Sequence, residues 1–242
     1  MNNAKEADVV LKLVDGIRFE AGPEIWTIDP TKVLGGTWIA LVPGGAEPVV
    51  DPSGSLAWIL ATMNEPIRGT VELLGQDVYR LDYMMRQRLR SRIGFVHGYG
   101  GLISNRSVRE NIALPVSIHS HLGPRDEEEL VELSLRNLAL EKVADLKPHE
   151  MDGGTRWRAC LARALVLDPE WLVMEGLGNW EMDRGRGTGW RWFLDRQRAG
   201  GMASVICLPR QNPGFEAWFI EHDGIIVRYS RFEGAGQRNT TA

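Results

Sequence analysis

The chain has 242 residues, of which 43% are hydrophobic and 25% charged, and its formal net charge is -4. This composition excludes a disordered chain, and the length allows a large core without disulfide or metal support. No apolar run approaches the ~18–20 residues of a membrane-spanning helix, and the first residues lack a secretory signal, so we expect a cytosolic protein. The net charge disfavours a nucleic-acid partner. Cys160 and Cys207 fit no metal spacing and are expected to be buried thiols.

The first third of the chain predicts short strands separated by Gly, Pro and Asp turn signals. They are VVLKLVDGIRF from Val9, TWIALV from Thr37 and GTVELLG ending at Gly75. Between the second and third strands, the apolar run Ser55–Met63 predicts one short helix.

The middle of the chain is predominantly helical. Helices are predicted at Asp82–Ser91 and Ser107–His119, on either side of a buried strand in SRIGFV. Leucines and valines recur at i, i+3, i+4 and i+7 in Glu127–Leu140, against acidic positions, which is typical of an amphipathic helix. Asp152–Leu165 predicts a second such helix.

The last third predicts two buried strands, Trp171–Met174 and Ala203–Leu208, and a closing hairpin over Trp218–Tyr229 that turns at Asp223-Gly224. We expect residues 231–242 to form a flexible tail. Strands interleaved with helices indicate an α/β fold with a mainly parallel sheet and a helical insertion.

The most specific segment is MDGGTRWRACLARALVLDPEWLVMEG, from Met151 to Gly176. It resembles the signature helix and following strand of ATP-binding cassette (ABC) transporter ATPases. The matching positions are Gly153, Gly154, Arg156, Arg158, Ala162, Arg163, Ala164, Leu165, Asp168 and Pro169. Arg92–Pro115 resembles the Q-loop strand of that family and the segment after it, and Trp218–Val227 resembles its closing hairpin.

The resemblance implies an ABC-type P-loop NTPase fold with an antiparallel β subdomain. It implies one domain over residues 1–230, with a helical subdomain at about 84–155. GGLISNRSVRENIALP and the VSIHSHL that follows it are most similar to the ATPase subunits of Mla/Mce-type phospholipid transporters.

The segment that resembles the phosphate-binding P-loop, Pro43–Trp58, contains no lysine. Counted from the preceding strand, the lysine position falls on Val49, and counted back from Gly69 it falls on Ser53. No lysine occurs anywhere from position 33 to 141, so no alignment supplies one. The loop also carries prolines without an N–H donor and carboxylates that repel phosphate: Pro43, Pro48, Pro52, Glu47 and Asp51.

Other family positions also differ. The resemblance places the Q-loop glutamine at Gly98, the magnesium-site aspartate at Glu175, the general base at Gly176, the switch histidine at Pro209 and the D-loop aspartate at Met182. The signature remnant has a carboxylate where the family has serine: Asp152, Gly153 and Gly154. These differences predict that binding of ATP and Mg²⁺ is lost or very weak, that the chain contains no catalytic residue and that it is not an enzyme.

The predicted function is therefore a catalytically inactive subunit that docks on the membrane permease of a transporter, with phospholipid as the cargo. It would lie on the cytoplasmic face of the inner membrane, as a homodimer or paired with an active ATPase subunit. The candidate docking residues are Gly98, Tyr99, Leu102, Ile103, Asn105 and Val108. Two alternatives stay open: a residual ATPase that uses Glu175 as its metal ligand, and a scaffold protein outside transport.

Overall fold

The computed structural model describes residues 9–98, 101–176 and 187–232. Its strands are β1 (Val9–Ala21), β2 (Glu24–Ile28), β3 (Thr31–Leu34), β4 (Trp38–Pro43), β5 (Arg68–Leu73), β6 (Gln76–Asp77), β7 (Ile93–Val96), β8 (Trp171–Glu175), β9 (Ala203–Cys207) and β10 (Ile225–Arg231). Its α-helices are α1 (Ser53–Leu60), α2 (Tyr83–Arg90), α3 (Val108–His119), α4 (Pro124–Asn137), α5 (Gly153–Leu165), α6 (Thr188–Arg198) and α7 (Pro213–Glu221).

The strands form one mixed sheet in the order β6-β5-β1-β2-β10-β4-β9-β8-β7, and β3 pairs with β1. The half from β6 to β10 is antiparallel, and the half from β10 to β7 is parallel. Every residue of β4, β8 and β9 is buried, as expected for parallel strands with both faces covered. The predicted α/β fold with an antiparallel β subdomain is confirmed.

Two hydrophobic clusters hold the layers together. One packs the helices α3, α4 and α5 against one face of the parallel strands, and the other packs α1 and the antiparallel strands against the opposite face. The helix α3 begins after Ser107, as predicted, and Ser107 and Glu110 form a capping box there. The helix α4 begins at Pro124 and ends at Asn137, three residues earlier at each end than the predicted Glu127–Leu140, because Pro124 suits the first position of a helix. Cys160 and Cys207 are both buried, as predicted.

The predicted closing hairpin is wrong in its first half. Residues 213–221 form the helix α7, and only the second half, β10, is a strand. Pro213 starts the helix, and Asn212 caps it by accepting from Phe215 N at 3.0 Å. Phe215 and Phe219, one helical turn apart, are both fully buried. The apolar run around Trp218 fits either a strand or a helix by periodicity, and this packing decides for the helix.

The predicted tail, 231–242, lies outside the described residues from position 233 onward. Among the residues that the structure describes, no helix has the length and apolarity needed to cross a membrane.

Candidate functional site

The N-terminus of α1 lies where the chain leaves β4 through the loop 44–52. Ser53 is the first residue of the helix and is buried, and its N–H donates to Asp51 Oδ1 at 2.8 Å. Val49, the other position assigned to the phosphate-binding lysine, is 77% exposed in the loop. A helix N-terminus presents N–H groups without an intrahelical partner and the positive end of the helix dipole, which together favour a bound phosphate.

Glu175 ends β8 and is buried beside that helix terminus. Its Oε2 accepts from Gly98 N at 3.3 Å and lies 3.4 Å from His97 Nδ1. A methyl group added at Gly54 would come within 3.1 Å of Glu175 Oε1, so the carboxylate lies against the first turn of α1. The structure thus brings Glu175 and Gly98 together and adds His97, which sequence reasoning had assigned to no site. Its place next to Gly98, at the end of a buried strand, was the available signal.

Gly176 and Pro209 lie at the same edge of the sheet. Gly176 follows β8 in the left-handed region, with φ +75°, and its N–H donates to Cys207 O at 2.8 Å. Pro209 comes just after the end of β9. Both positions therefore lie with Glu175 at the carboxyl ends of parallel strands, the edge at which open α/β sheets bind ligands.

The polar groups at this edge of the sheet are of the types that bind magnesium and phosphate. Ser53 and Glu175 supply oxygen ligands of the type that Mg²⁺ prefers, next to a helix terminus that suits phosphate. Among the described residues, no group of three or more His, Cys, Asp or Glu side chains could hold a metal ion, so phosphate oxygens would have to complete the coordination. Burial raises the pKa of the Cys207 thiol, and the nearby carboxylates of Glu175 and Asp51 raise it further.

The signature remnant begins α5, away from the strand ends that carry Glu175. Asp152 caps this helix, because its Oδ1 accepts from Thr155 N at 2.9 Å and its Oδ2 from Thr155 Oγ1 at 2.7 Å. The hydrogen bond from the Thr155 hydroxyl lowers the pKa of Asp152. Gly153 is exposed, and a methyl group added there would meet nothing within 4 Å. The turn is therefore open to another molecule.

The predicted docking residues differ in accessibility. Tyr99 lies outside the described residues. Val108 is fully buried, and its N–H donates to Leu146 O at 2.9 Å. Its side chain therefore packs inside the protein and is not accessible to a permease. The remaining four are exposed or half-buried: Gly98, Leu102, Ile103 and Asn105.

A cavity of about 250 Å³ opens between β7, α3 and α5. Phe95, Leu114 and Ile118 give it an apolar wall, and Arg163 lies in its lining. We call this cavity the β7–α3 groove. Sequence reasoning missed it, although the spacing of Leu114 and Ile118, one helical turn apart on α3, was a signal for a shared face.

Comparison with known proteins agrees with this geometry. The model of the family described as ABC transporter matches residues 54–175, half of the chain. Lipoprotein-releasing system ATP-binding protein LolD 1 of Rhodopirellula baltica is 36% identical and covers 62% of this chain and 68% of its own length. LolD of Hahella chejuensis is 30% identical, and the match covers 81% of this chain and 88% of that protein. Intermembrane phospholipid transport system ATP-binding protein MlaF of Haemophilus influenzae is 31% identical, and the match covers 52% of this chain and 50% of that protein.

Solved structures show the same fold. The ATP-binding cassette MJ0796, in a dimeric structure of a post-hydrolysis state, matches with a TM-score of 0.70 and 20% identity, over 93% of this chain and 99% of that one. The protein cbiO1 from Clostridium perfringens matches with a TM-score of 0.69 and 15% identity, over 93% and 88%. At these identities the likeness concerns the fold alone.

These relatives contradict two predictions made from the sequence. The absence of ATP and Mg²⁺, and the absence of enzymatic activity, were both predicted, whereas the relatives are ATP-binding proteins throughout. The predictions gave decisive weight to the missing lysine. N–H groups at a helix N-terminus bind phosphate without a cationic side chain, so that absence does not by itself remove the nucleotide.

Two further expectations are confirmed by the same relationship: a membrane permease as partner, and a peripheral position on the cytoplasmic face of the inner membrane. The family match covers α1 from Gly54 onward, Glu175 and the whole helical region between them. The chain belongs to the ABC transporter family, as an ATP-binding subunit.

Proposed function

We propose that the chain binds ATP and Mg²⁺ at the edge formed by α1, β7 and β8, and thereby drives a transporter of a lipid or a lipid-bearing protein. The observation that carries the nucleotide site is the position of Glu175, which is buried and lies against Gly54 in the first turn of α1. The lipid cargo rests on the relatives LolD and MlaF, whose names refer to lipoprotein release and phospholipid transport.

Each residue at the site has a definite part. The N–H groups of α1 would hold phosphate, and the Ser53 hydroxyl and the Glu175 carboxylate would hold Mg²⁺. Gly98 orients that carboxylate through its N–H. Gly176 has no side chain that could accept a proton from water, so the base for hydrolysis must come from another group of the assembled transporter.

Residues 1–230 would act as one cassette, with the helical subdomain at about 84–155. The exposed turn at Gly153 supports a dimer in which the signature of one cassette faces the nucleotide of the other. The second cassette is either a copy of this chain or an active ATPase subunit. Gly98, Leu102, Ile103 and Asn105 remain the proposed permease contacts, since all four keep some exposure.

Nucleotide binding by the purified full chain tests the site. A fluorescent ATP analogue should bind in a Mg²⁺-dependent, saturable manner, and Glu175→Gln should weaken binding roughly tenfold, since a metal ligand loses its charge. Glu141→Gln, at an exposed position outside the site, serves as the control and should bind like the unchanged chain. No binding at millimolar nucleotide, either alone or with the permease, would overturn the proposal.

The cargo needs a separate measurement. The transporter reconstituted in vesicles should hydrolyse ATP faster when phospholipid or a lipoprotein is supplied as cargo. If neither cargo changes the rate of an otherwise active complex, the lipid assignment is wrong while the nucleotide assignment stands.

A further inference from the structure

A second cavity, of about 390 Å³, opens on the antiparallel half of the sheet. We call it the β1–β5 pocket, because Arg18 of β1 and Arg68 of β5 line it, together with Asp15, Asp29 and Thr27. None of its described lining residues belongs to the proposed nucleotide site. Its volume lies within the ~300–1,000 Å³ that is usual for small-molecule sites. The charged lining therefore indicates a small, charged ligand.

The backbone around this pocket is tightly constrained. Asp15 and Gly16 both lie in the left-handed region, with φ +57° and +73°, and the register of β1 against β5 shifts next to them. Gly69 on β5 has φ +99°, and a methyl group added there would lie 2.0 Å from Gly16 O. A methyl group added at Gly16 would lie 2.5 Å from Ile28 O. A larger residue fits at neither glycine, so the backbone fixes the shape of the pocket.

Two arginines lie side by side in the pocket. Arg18 and Arg68 are direct partners in the register of β1 and β5, so their side chains leave the same face of the sheet. Like charges that lie directly opposite each other on neighbouring strands are destabilising. Among the residues that the structure describes, neither arginine forms an ion pair with a carboxylate. An anion bound between the two guanidinium groups would relieve their repulsion.

Arg18 is already held in position for such a contact. Its guanidinium carbon lies 3.7 Å from the centroid of the Phe232 ring, which is a cation–π contact. The N–H donors of a guanidinium point outward in its own plane, so a contact with a ring leaves donors available. Their fork matches two oxygens of a phosphate group. Arg18 therefore needs little ordering before it binds phosphate.

The pocket carries negative charge as well. Asp15 and Asp29 are exposed, and neither takes part in an ion pair within the described ranges. Two arginines and two aspartates make the formal charge of the lining zero. The arginines would attract a simple anion and the aspartates would repel it, whereas a zwitterion finds an opposite charge for each of its two groups.

We infer that the β1–β5 pocket binds a small zwitterion that carries a phosphate group and a primary ammonium group. The phosphate pairs with Arg18 and Arg68, and the ammonium group pairs with Asp15 and Asp29. Soluble phosphoethanolamine and the headgroup of phosphatidylethanolamine share this chemistry. The inference goes beyond the proposed function and does not depend on it, because the nucleotide site uses other residues.

Isothermal titration of the purified full chain with phosphoethanolamine, inorganic phosphate and ethanolamine tests the pocket. We expect phosphoethanolamine to bind roughly tenfold more tightly than either of the other two probes. Arg68→Gln should weaken the binding of phosphoethanolamine and of phosphate about tenfold. Asp29→Asn should weaken the binding of phosphoethanolamine and strengthen that of phosphate, since a repulsive charge is removed. Arg125→Gln and Asp126→Asn, matched exposed changes on α4, should leave all three affinities unchanged.

Vesicle flotation distinguishes the two sources of the ligand. Vesicles of phosphatidylethanolamine and phosphatidylcholine in equal parts are compared with vesicles of phosphatidylcholine alone, whose trimethylammonium group has no N–H donor. Binding to the mixed vesicles that Arg68→Gln abolishes assigns the pocket to a lipid headgroup, and Arg68-dependent binding of phosphoethanolamine alone assigns it to a soluble compound. If neither binds in an Arg68-dependent manner, or if phosphate binds as tightly as phosphoethanolamine, the inference is wrong.

The stability of Arg68→Gln without ligand is a second measurement. Because the change removes one of two like charges at an exposed position, the midpoint of urea denaturation should stay the same or rise, and more so at low salt. A lower midpoint would show that Arg68 supports the fold, contrary to its assignment as a ligand-binding residue.

Discussion

At the scale of single residues, the decisive contact is the one between Asp51 and the first N–H of α1. Asp51 Oδ1 accepts from Ser53 N at 2.8 Å, so a carboxylate occupies a donor that a phosphate would use. Glu175 adds a second negative charge at the same helix turn. The loop therefore competes with a nucleotide through charge more than through shape.

Asp51→Asn should raise the affinity for Mg²⁺-ATP severalfold, because the amide keeps a hydrogen-bond acceptor for Ser53 and loses the charge that repels phosphate. Titration with a fluorescent ATP analogue measures this. Glu47→Gln, an exposed change in the same loop, should have a smaller effect, since no hydrogen bond ties Glu47 to α1 within the described structure. If Asp51→Asn and the unchanged chain bound Mg²⁺-ATP with equal affinity, Asp51 would not compete with phosphate at the start of α1.

At the scale of elements, the start of α5 is stabilised by the carboxylate of one residue, Asp152. Asp152 accepts two hydrogen bonds from Thr155 and is thereby the N-cap of the helix. The sequence predicted both this helix and its cap, because an Asp before a helical pattern is a local signal. The helix α7 was missed because its alternative, a strand, has an equally good local pattern, and the buried contacts of Phe215 and Phe219 are not local.

Asp152→Ala should lower the free energy of unfolding by about 1 kcal/mol at neutral pH, the usual cost of a lost N-cap. The pKa of Asp152 is lowered in the folded chain, so its charged form stabilises the fold above its unfolded pKa, and that contribution is lost as the pH falls. The difference between variant and parent should therefore shrink below about pH 4, as measured by urea denaturation. Asn212→Ala, which removes the neutral cap of α7, should show no such pH dependence.

At the scale of the whole molecule, β10 joins the two halves of the sheet. It pairs with β2 on the antiparallel side and with β4 on the parallel side. Tyr229, in the middle of this strand, is buried; its ring lies against Trp26 and Phe19, and its hydroxyl donates to Leu208 O at 2.9 Å. One side chain thus connects the core of the antiparallel half to the strand that precedes Pro209.

Tyr229→Phe should cost about 1 kcal/mol in the free energy of unfolding, because the Leu208 carbonyl loses a buried donor while the ring contacts remain. Tyr229→Ala should cost about 3–5 kcal/mol, since the cavity adds to the lost contacts. Far-ultraviolet circular dichroism and tryptophan fluorescence, followed together during denaturation, should give coincident transitions for both variants. Transitions that separate would show that the two halves unfold independently, contrary to the role assigned to β10.

The family, the α/β class and the positions of most elements could be predicted from the sequence, because amphipathic periods, caps and the GG–ARAL–DP spacing are local properties. The folded structure was needed to establish that Glu175 meets Gly98 and the start of α1, that residues 213–221 are helical, and that Arg163 lines a groove whose described lining contains no carboxylate. These facts depend on which strand ends share an edge and which helices pack together. Contacts between residues distant in sequence leave no periodic trace in a single chain. The absence of a lysine could therefore be read from the sequence, whereas the position of Glu175 against α1 could not.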